Sequence, residues 1–219
     1  LPGTQREVEG ISRHIKTDVF MDSLASLSRF KDLAGNYRIL HIATHGLIDN
    51  ENPMHSRLLF SPYACNDSSN ALQYGDLFNM DLKADLAVLS ACNTGNGKNS
   101  EGEGIMALAR GFMYSGVPSL VISLWKVEDQ ATAIIMEKFY TYLKDGLSKD
   151  KALRKAKLDY LNDAGMINSC PYYWSGFINI GDTAPVFSNR PYQGLLNILY
   201  LLAGIGIIMA VLKYRSRFS

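Results

Sequence analysis

Three short apolar runs constrain the fold of this 219-residue chain more than any other feature. Residues 38–46 read RILHIATHG, residues 85–90 read DLAVLS, and residues 119–124 read SLVISL. Runs this short, rich in large aliphatic and β-branched residues, are typical of strands that are buried on both faces. Helical patterns lie between and after them, so the order predicts an α/β domain with a mostly parallel sheet.

Segments with helical spacing of apolar residues surround these strands. We predict helices at five ranges, which are 10–33, 72–80, 105–114, 128–143 and 148–161. Two further short strands are predicted at 57–60 and 174–180. Polar residues with Gly, Asn or Pro predict loops, which are 48–55, 63–69 and 92–104.

The C-terminal part of the chain departs from this globular pattern. Residues 194–212 read GLLNILYLLAGIGIIMAVL and carry no charge. A helix of that length rises about 28 Å, close to the bilayer hydrocarbon thickness of roughly 30 Å. We therefore predict one transmembrane helix here, with a buried core helix as the alternative.

The other boundaries follow from these elements. We predict an N-terminal helical segment (1–35), a main domain (36–183), a linker (184–193) and a basic tail (213–219). The basic residues of the tail outweigh the single Arg190 before the apolar run, so the positive-inside rule places the main domain outside the cytoplasm. The opposite orientation stays open because so short a tail could itself be translocated. The chain has neither a starting Met nor a signal peptide at Leu1, so we expect upstream sequence.

Charge and cysteine content exclude several classes of function. The net charge is +1, from 22 Lys and Arg against 21 Asp and Glu, so we predict no contact with nucleic acid. Three cysteines are too few and too scattered for a disulfide scaffold. The four histidines have no metal-ligand spacing, and we predict neither a metal nor another cofactor.

Reactive side chains follow two of the predicted strands. The first run ends in Thr44-His45-Gly46, and the second is followed by Cys92, 47 residues after His45. Because the carboxyl ends of parallel strands meet at one edge, the imidazole can come close enough to deprotonate the thiol. The N–H groups of Gly46 and Cys92 could then form an oxyanion hole. His41, four residues before His45, is interpreted as a hydrogen-bonded core histidine.

Four motifs in order carry a resemblance to a known family. They are HIATHG, LSACNTG, GEGIMALARGFMYSGVPSLVISLWKVED and YYWSGFINIGD, and together they resemble the CHAT domain over residues 38–182. That family is similar to caspases and separases, and its members often follow tetratricopeptide repeats. The resemblance implies a caspase-like three-layer α/β/α sandwich and a Cys–His dyad. It implies that His45 is the general base, Cys92 the nucleophile and Gly46 an oxyanion-hole residue.

Three acidic residues are candidates for substrate binding. Asp129 ends the segment WKVED, which resembles the separase stretch Trp-x-Val-x-Asp, where the acid lies in a substrate pocket. That role would favour a basic substrate side chain, and the alternative is an acid that suits a helix N-terminus. Glu101 and Glu103 could line a pocket or bind a cation, and the alternative is a solvated loop.

These observations predict a membrane-anchored cysteine endopeptidase that cleaves a specific protein substrate. The predicted partners are that substrate, the membrane, and an upstream repeat region or regulatory protein. The alternative is a non-catalytic interaction or scaffold module tethered to the membrane.

Overall fold

The computed structural model of the protein describes residues 2–61, 70–90, 92–93, 103–187, 199–200 and 202. The chain divides into two compact units, Leu1–Phe187 and Ser188–Ser219. The strands of the first unit are β1 (Ile39–Ile42), β2 (His45–Leu47), β3 (Arg57–Leu59), β4 (Ala71–Gln73), β5 (Leu86–Leu89), β6 (Cys92–Asn93), β7 (Ser119–Ser123) and β8 (Phe177–Gly181). Its α-helices are α1 (Pro2–Ser12), α2 (Leu27–Leu33), α3 (Tyr74–Leu77), α4 (Glu103–Tyr114), α5 (Asp129–Lys144) and α6 (Lys149–Asp163).

The larger sheet has the strand order β1-β5-β7-β8. Strands β1, β5 and β7 are parallel, and β8 runs antiparallel to β7 at one edge. Every residue of β5 and β7 is buried, because both faces of these central strands are covered. The prediction of an α/β domain with a mostly parallel sheet is therefore confirmed.

Side chains of the central strands alternate between two apolar cores, as the period of two along a strand requires. Ala87 and Leu89 of β5 pack in one core with Phe112 and other residues of α4. Leu86 and Val88 pack in the other core with residues of α1, α5 and α6. Helices thus lie on both sides of the sheet, and this unit has three layers.

A second sheet of very short strands follows β1 and β5, in the order β4-β3-β2-β6. Strand β3 is antiparallel to β2 and β4, whereas β2 and β6 are parallel. The prediction of one strand over 38–46 is therefore wrong, because the chain leaves the larger sheet after Ile42 and enters the second at His45. In the connection between β1 and β2, the Thr44 hydroxyl donates a hydrogen bond to the carbonyl of Leu59 on β3. This bond fixes the position of the connecting residues.

The prediction of one helix over 10–33 is also wrong. Helix α1 ends at Ser12, a short 3₁₀ helix spans Asp22–Leu24, and α2 begins only at Leu27. Two of the apolar residues that suggested a continuous helix, Val19 and Phe20, are 40% and 39% exposed. Their helical spacing therefore does not mark a buried face.

The remaining helices and strands agree more closely with prediction. The helices predicted at 105–114, 128–143 and 148–161 are confirmed as α4, α5 and α6, with ends shifted by at most two residues. The predicted helix at 72–80 begins instead as strand β4 and becomes helical only in α3. The strand predicted at 174–180 is β8, which starts at Phe177 after a 3₁₀ helix at Pro171–Tyr173.

In the second unit, the described residues Leu199, Tyr200 and Leu202 are helical and exposed. Across the part of the chain that the structure describes, no helix has both the length and the hydropathy needed to cross a bilayer. Apart from those three residues, the predicted transmembrane segment 194–212 lies outside the described residues, as does the predicted basic tail 213–219.

Candidate active site

The pairing of β1 with β5 continues into β2 and β6. Register partners from Ile39–Leu86 to Ile42–Leu89 are 47 residues apart (86 − 39). The pair His45–Cys92 keeps the same separation (92 − 45). The two segments of the chain thus use the same number of residues to pass from the larger sheet to the smaller one. As a result, the backbone positions of His45 and Cys92 are neighbours, at the spacing of about 4.8 Å that separates adjacent strands.

The neighbouring residues His45 and Gly46 of β2 differ in their exposure to solvent. His45 is exposed, and Gly46 is buried between its register partners Leu58 on β3 and Asn93 on β6. The side chain of Cys92 lies outside the described part of the protein. Within that described part, no carboxylate forms an ion pair with His45, whereas the other three histidines each have one.

The loop that follows β2, residues 48–56, is organised by Asp49. Its Oδ1 accepts hydrogen bonds from the backbone amides of Glu51 at 3.0 Å and Asn52 at 2.7 Å. The Ser56 hydroxyl accepts from the Asp49 amide at 3.0 Å and donates to its carbonyl at 3.3 Å. Because Ser56 is fully buried, these bonds satisfy groups that have no access to water, and they fix the shape of the loop.

The first turn of α4 is in contact with this loop. The amide of Gly104 donates a hydrogen bond to Oδ1 of Asn50 at 3.0 Å, so a side chain from another segment caps the helix. A methyl group on Gly104 would lie 2.7 Å from the Ser56 hydroxyl and 2.8 Å from the Asp49 carbonyl oxygen. Only glycine allows the helix to approach the loop this closely.

Two of the predicted substrate-binding acids, Glu101 and Glu103, lie just before α4 and at its first residue. Glu101 lies outside the described residues. Glu103 is the first residue of α4, and its exposed carboxylate lies 3.6 Å from the guanidinium of Arg110 two turns along the helix. The structure therefore gives Glu103 an ion-pair partner on its own helix.

The third predicted acid, Asp129, is the first residue of α5. It is half-buried, and its side chain lies against Gly3 of α1. The residue before it, Glu128, is the N-cap and accepts a hydrogen bond from the Ala131 amide at 2.8 Å. Asp129 thus occupies a helix N-terminus, where a negative charge is favourable, and the substrate-pocket role stays a prediction.

The interpretation of His41 as a hydrogen-bonded core histidine is confirmed. Its Nδ1 lies 3.0 Å from the Tyr140 hydroxyl, and its Nε2 lies 3.1 Å from Oε1 of Glu7 on α1. Glu7 is only 3% exposed. Burial and then the nearby Glu7 charge raise the pKa of Tyr140 well above its usual value. Sequence reasoning missed Glu7, although it lies one helical turn before the buried Ile11.

Comparisons with known proteins identify the family of this chain. Residues 1–182 match the CHAT domain family. Over 212 aligned residues, the chain is 26% identical to mouse tetratricopeptide repeat protein 28 and 25% identical to the human protein of that name. Each alignment covers 83% of this chain but only 8% of the relative, so the chain spans a small part of the curated proteins it matches. The match over most of its length shows that this chain belongs to the CHAT domain family.

Proposed function

We propose that this chain is a cysteine endopeptidase domain that cleaves a specific protein substrate with a dyad of Cys92 and His45. The register pairing of these two residues carries the proposal, because it puts a base and a thiol at neighbouring backbone positions. Membership of the CHAT family supports it, since the family's resemblance to caspases and separases implies a caspase-like fold and this chemistry.

In the proposed reaction, His45 takes the proton of the Cys92 thiol, and the thiolate attacks the carbonyl carbon of the scissile peptide bond. The C–N bond then breaks as the imidazolium donates its proton to the departing amine. A water molecule, deprotonated by His45, attacks the resulting thioester. The carboxyl product leaves, and the thiol is restored.

The tetrahedral intermediates of this reaction carry a negative oxygen. We assign its stabilisation to the backbone N–H groups of Gly46 and Cys92. The position of Gly46 next to His45 and in register with Asn93 supports this assignment, because it keeps the glycine backbone beside the nucleophile strand.

The substrate side chain nearest the cleaved bond is proposed to be basic, with Asp129 as its partner and Glu101 and Glu103 as further lining residues. A carboxylate binds a guanidinium or ammonium group through charge-assisted hydrogen bonds. Two irreversible thiol-directed peptide probes test this preference, one carrying Arg and the other Asp next to the reactive group. Faster labelling by the Arg probe, reduced by Asp129→Asn, is the expected result.

We also propose that residues 194–212 anchor the protein in a membrane, with the main domain on the extracytoplasmic side. The support is the uncharged sequence of this run and the basic residues that follow it. Membrane fractionation of the full chain, compared with a chain ending at Phe187, tests the anchor. Protease accessibility of the main domain in sealed vesicles tests the orientation.

The main experiment for the dyad combines an activity probe with co-expression. We expect the full-length protein to cleave a protein encoded near it in the genome, and Cys92→Ala to abolish both cleavage and probe labelling without loss of folding. Cys170→Ser removes an exposed thiol and serves as the control. A folded wild-type protein that neither reacts nor cleaves, yet still binds a partner, would support the non-catalytic scaffold instead.

A further inference from the structure

We propose that Asn50 is a positioning residue of this site, which keeps Cys92 in register with His45 by tying the loop after β2 to the first turn of α4. The inference rests on the proposed dyad. It adds a residue that lies outside the four motifs that carry the resemblance to the CHAT domain.

Described residues connect Asn50 to both sides of the dyad. On one side, Asn50 lies in the loop that follows β2, the strand of His45. On the other side, the Gly104 amide at the start of α4 donates to Oδ1 of Asn50 at 3.0 Å, and α4 packs in the same core as β5, which precedes Cys92 in the chain. The hydrogen bond between Asn50 and Gly104 therefore joins, through the core, the two segments that pair at the dyad.

This link matters because the direct pairing of the two segments is short. Strands β2 and β6 share only two register pairs, His45–Cys92 and Gly46–Asn93. Two-stranded pairings of this length are weak without further packing. A second restraint on the same two segments reduces the freedom of the pair to open or slip.

Both partners in the Asn50–Gly104 contact are firmly held. On the loop side, Asp49 and the buried Ser56 fix residues 48–56, as their hydrogen bonds show. On the helix side, Leu108 and Phe112 of α4 are fully buried in the core that includes β5. Asn50 therefore links the strand that carries His45 to a helix fixed in the core, and this is how it can set a distance at the dyad.

The test is the pH dependence of Cys92 alkylation by iodoacetamide in the full chain, followed by mass spectrometry of the peptide that contains Cys92. In the wild-type protein, we expect pairing with His45 to lower the midpoint below the ordinary thiol value of about 8.5. Asn50→Ala should move the midpoint back toward that value and slow labelling at neutral pH about tenfold, since small misplacements of reacting groups have large effects on rate.

Two matched variants serve as controls. Asn50→Asp keeps an oxygen that accepts the Gly104 hydrogen bond at a helix N-terminus, so its midpoint should stay near the wild-type value. Asn52→Ala changes an exposed residue of the same loop, whose side chain makes no hydrogen bond within the described part of the protein. Its alkylation profile should match the wild type.

Thermal unfolding of each variant separates positioning from simple destabilisation. A lower Tm for Asn50→Ala with an unchanged alkylation midpoint would overturn the positioning role. If Asn50→Ala does not fold, Asn50→Gln, which displaces the acceptor by one methylene group, should show the same upward shift, and its absence would equally overturn the role. An ordinary midpoint for Cys92 in the wild-type protein would instead overturn the proposed dyad, and this inference with it.

Discussion

The two sheets of the first unit differ in how their strands are held. In the larger sheet, all residues of β5 and β7 are buried between helical layers. In the smaller sheet, β2, β3 and β4 each have only three residues, with one buried residue between two that are more accessible, and His45 is exposed. The larger sheet has the packing that gives stability, and the smaller one carries the candidate chemistry.

The smaller sheet nevertheless keeps the alignment of the larger one. The separation of 47 residues between partners is the same in β1–β5 and in β2–β6. The pairing of His45 with Cys92 thus continues the register of the buried strands β1 and β5. Sites placed on rigid elements in this way hold their geometry better than sites built on loops alone.

The largest effect is expected from the core of the larger sheet. Leu89→Ala removes a fully buried side chain of β5 and should lower the free energy of unfolding by about 2–5 kcal/mol. Urea denaturation measures the change. Leu158→Ala, at a position that is 41% exposed, should change the same free energy by no more than about 0.5 kcal/mol. Equal losses for the two variants would contradict the conclusion that the buried packing of β5 stabilises the larger sheet.

The next largest effect concerns the attachment of α1 to the larger sheet. Glu7→Ala leaves the Nε2 atom of the largely buried His41 without its partner, and we expect a loss of about 1–3 kcal/mol in unfolding free energy. Glu9→Ala on the exposed side of α1 is the matched control and should have little effect. Urea denaturation of both variants at neutral pH distinguishes the two outcomes.

A smaller effect is expected at the step between the two sheets. Thr44→Val keeps the shape of the side chain but removes its hydrogen bond to the Leu59 carbonyl, at a cost of about 0.5–1.5 kcal/mol. Labelling of Cys92 by a thiol-directed probe should also slow, because the alignment of β2 depends on this anchor. Thr17→Val, which removes an exposed local hydrogen bond, should leave labelling unchanged. Unchanged labelling in both variants would show that the alignment of β2 does not depend on the Thr44 hydrogen bond.

The smallest effect on stability is expected in the smaller sheet itself. His45→Ala alters an exposed side chain and should change the free energy of unfolding by less than about 0.5 kcal/mol. The same substitution should nevertheless slow Cys92-dependent labelling at neutral pH by about tenfold or more, because the thiol loses its base and keeps only the few per cent of thiolate of an ordinary cysteine. A large loss of unfolding free energy in His45→Ala would mean that His45 stabilises the fold, which would contradict the contrast drawn between the two sheets.

Sequence reasoning succeeded where a single periodicity extended through an element. The strands β5 and β7 have apolar residues on both faces, and α5 and α6 keep an apolar stripe, so each was predicted close to its observed bounds. The positions of His45 and Cys92 at the ends of two predicted parallel strands already suggested that they are neighbours, and their backbones are register partners.

The errors have equally definite causes. An apolar run cannot show where a chain passes from one sheet to another, so the break at Thr44 was not predicted. The spacing of Val19 and Phe20 resembled a helical face, although these residues are exposed in an irregular segment. The burial of Glu7 depends on His41, which is 34 residues away in the sequence, and no local pattern contains that information.

The number of residues from Ile42 to His45 equals the number from Leu89 to Cys92, and this equality limits where residues can be inserted or deleted. An insertion or deletion between residues 60 and 70 alters a connection and leaves the strand alignment intact. A single-residue deletion between Ile42 and His45 would move every following residue of β2 to the opposite face and pair Cys92 with Gly46. Length changes at this junction are tolerable only when the junction after Leu89 changes by the same amount.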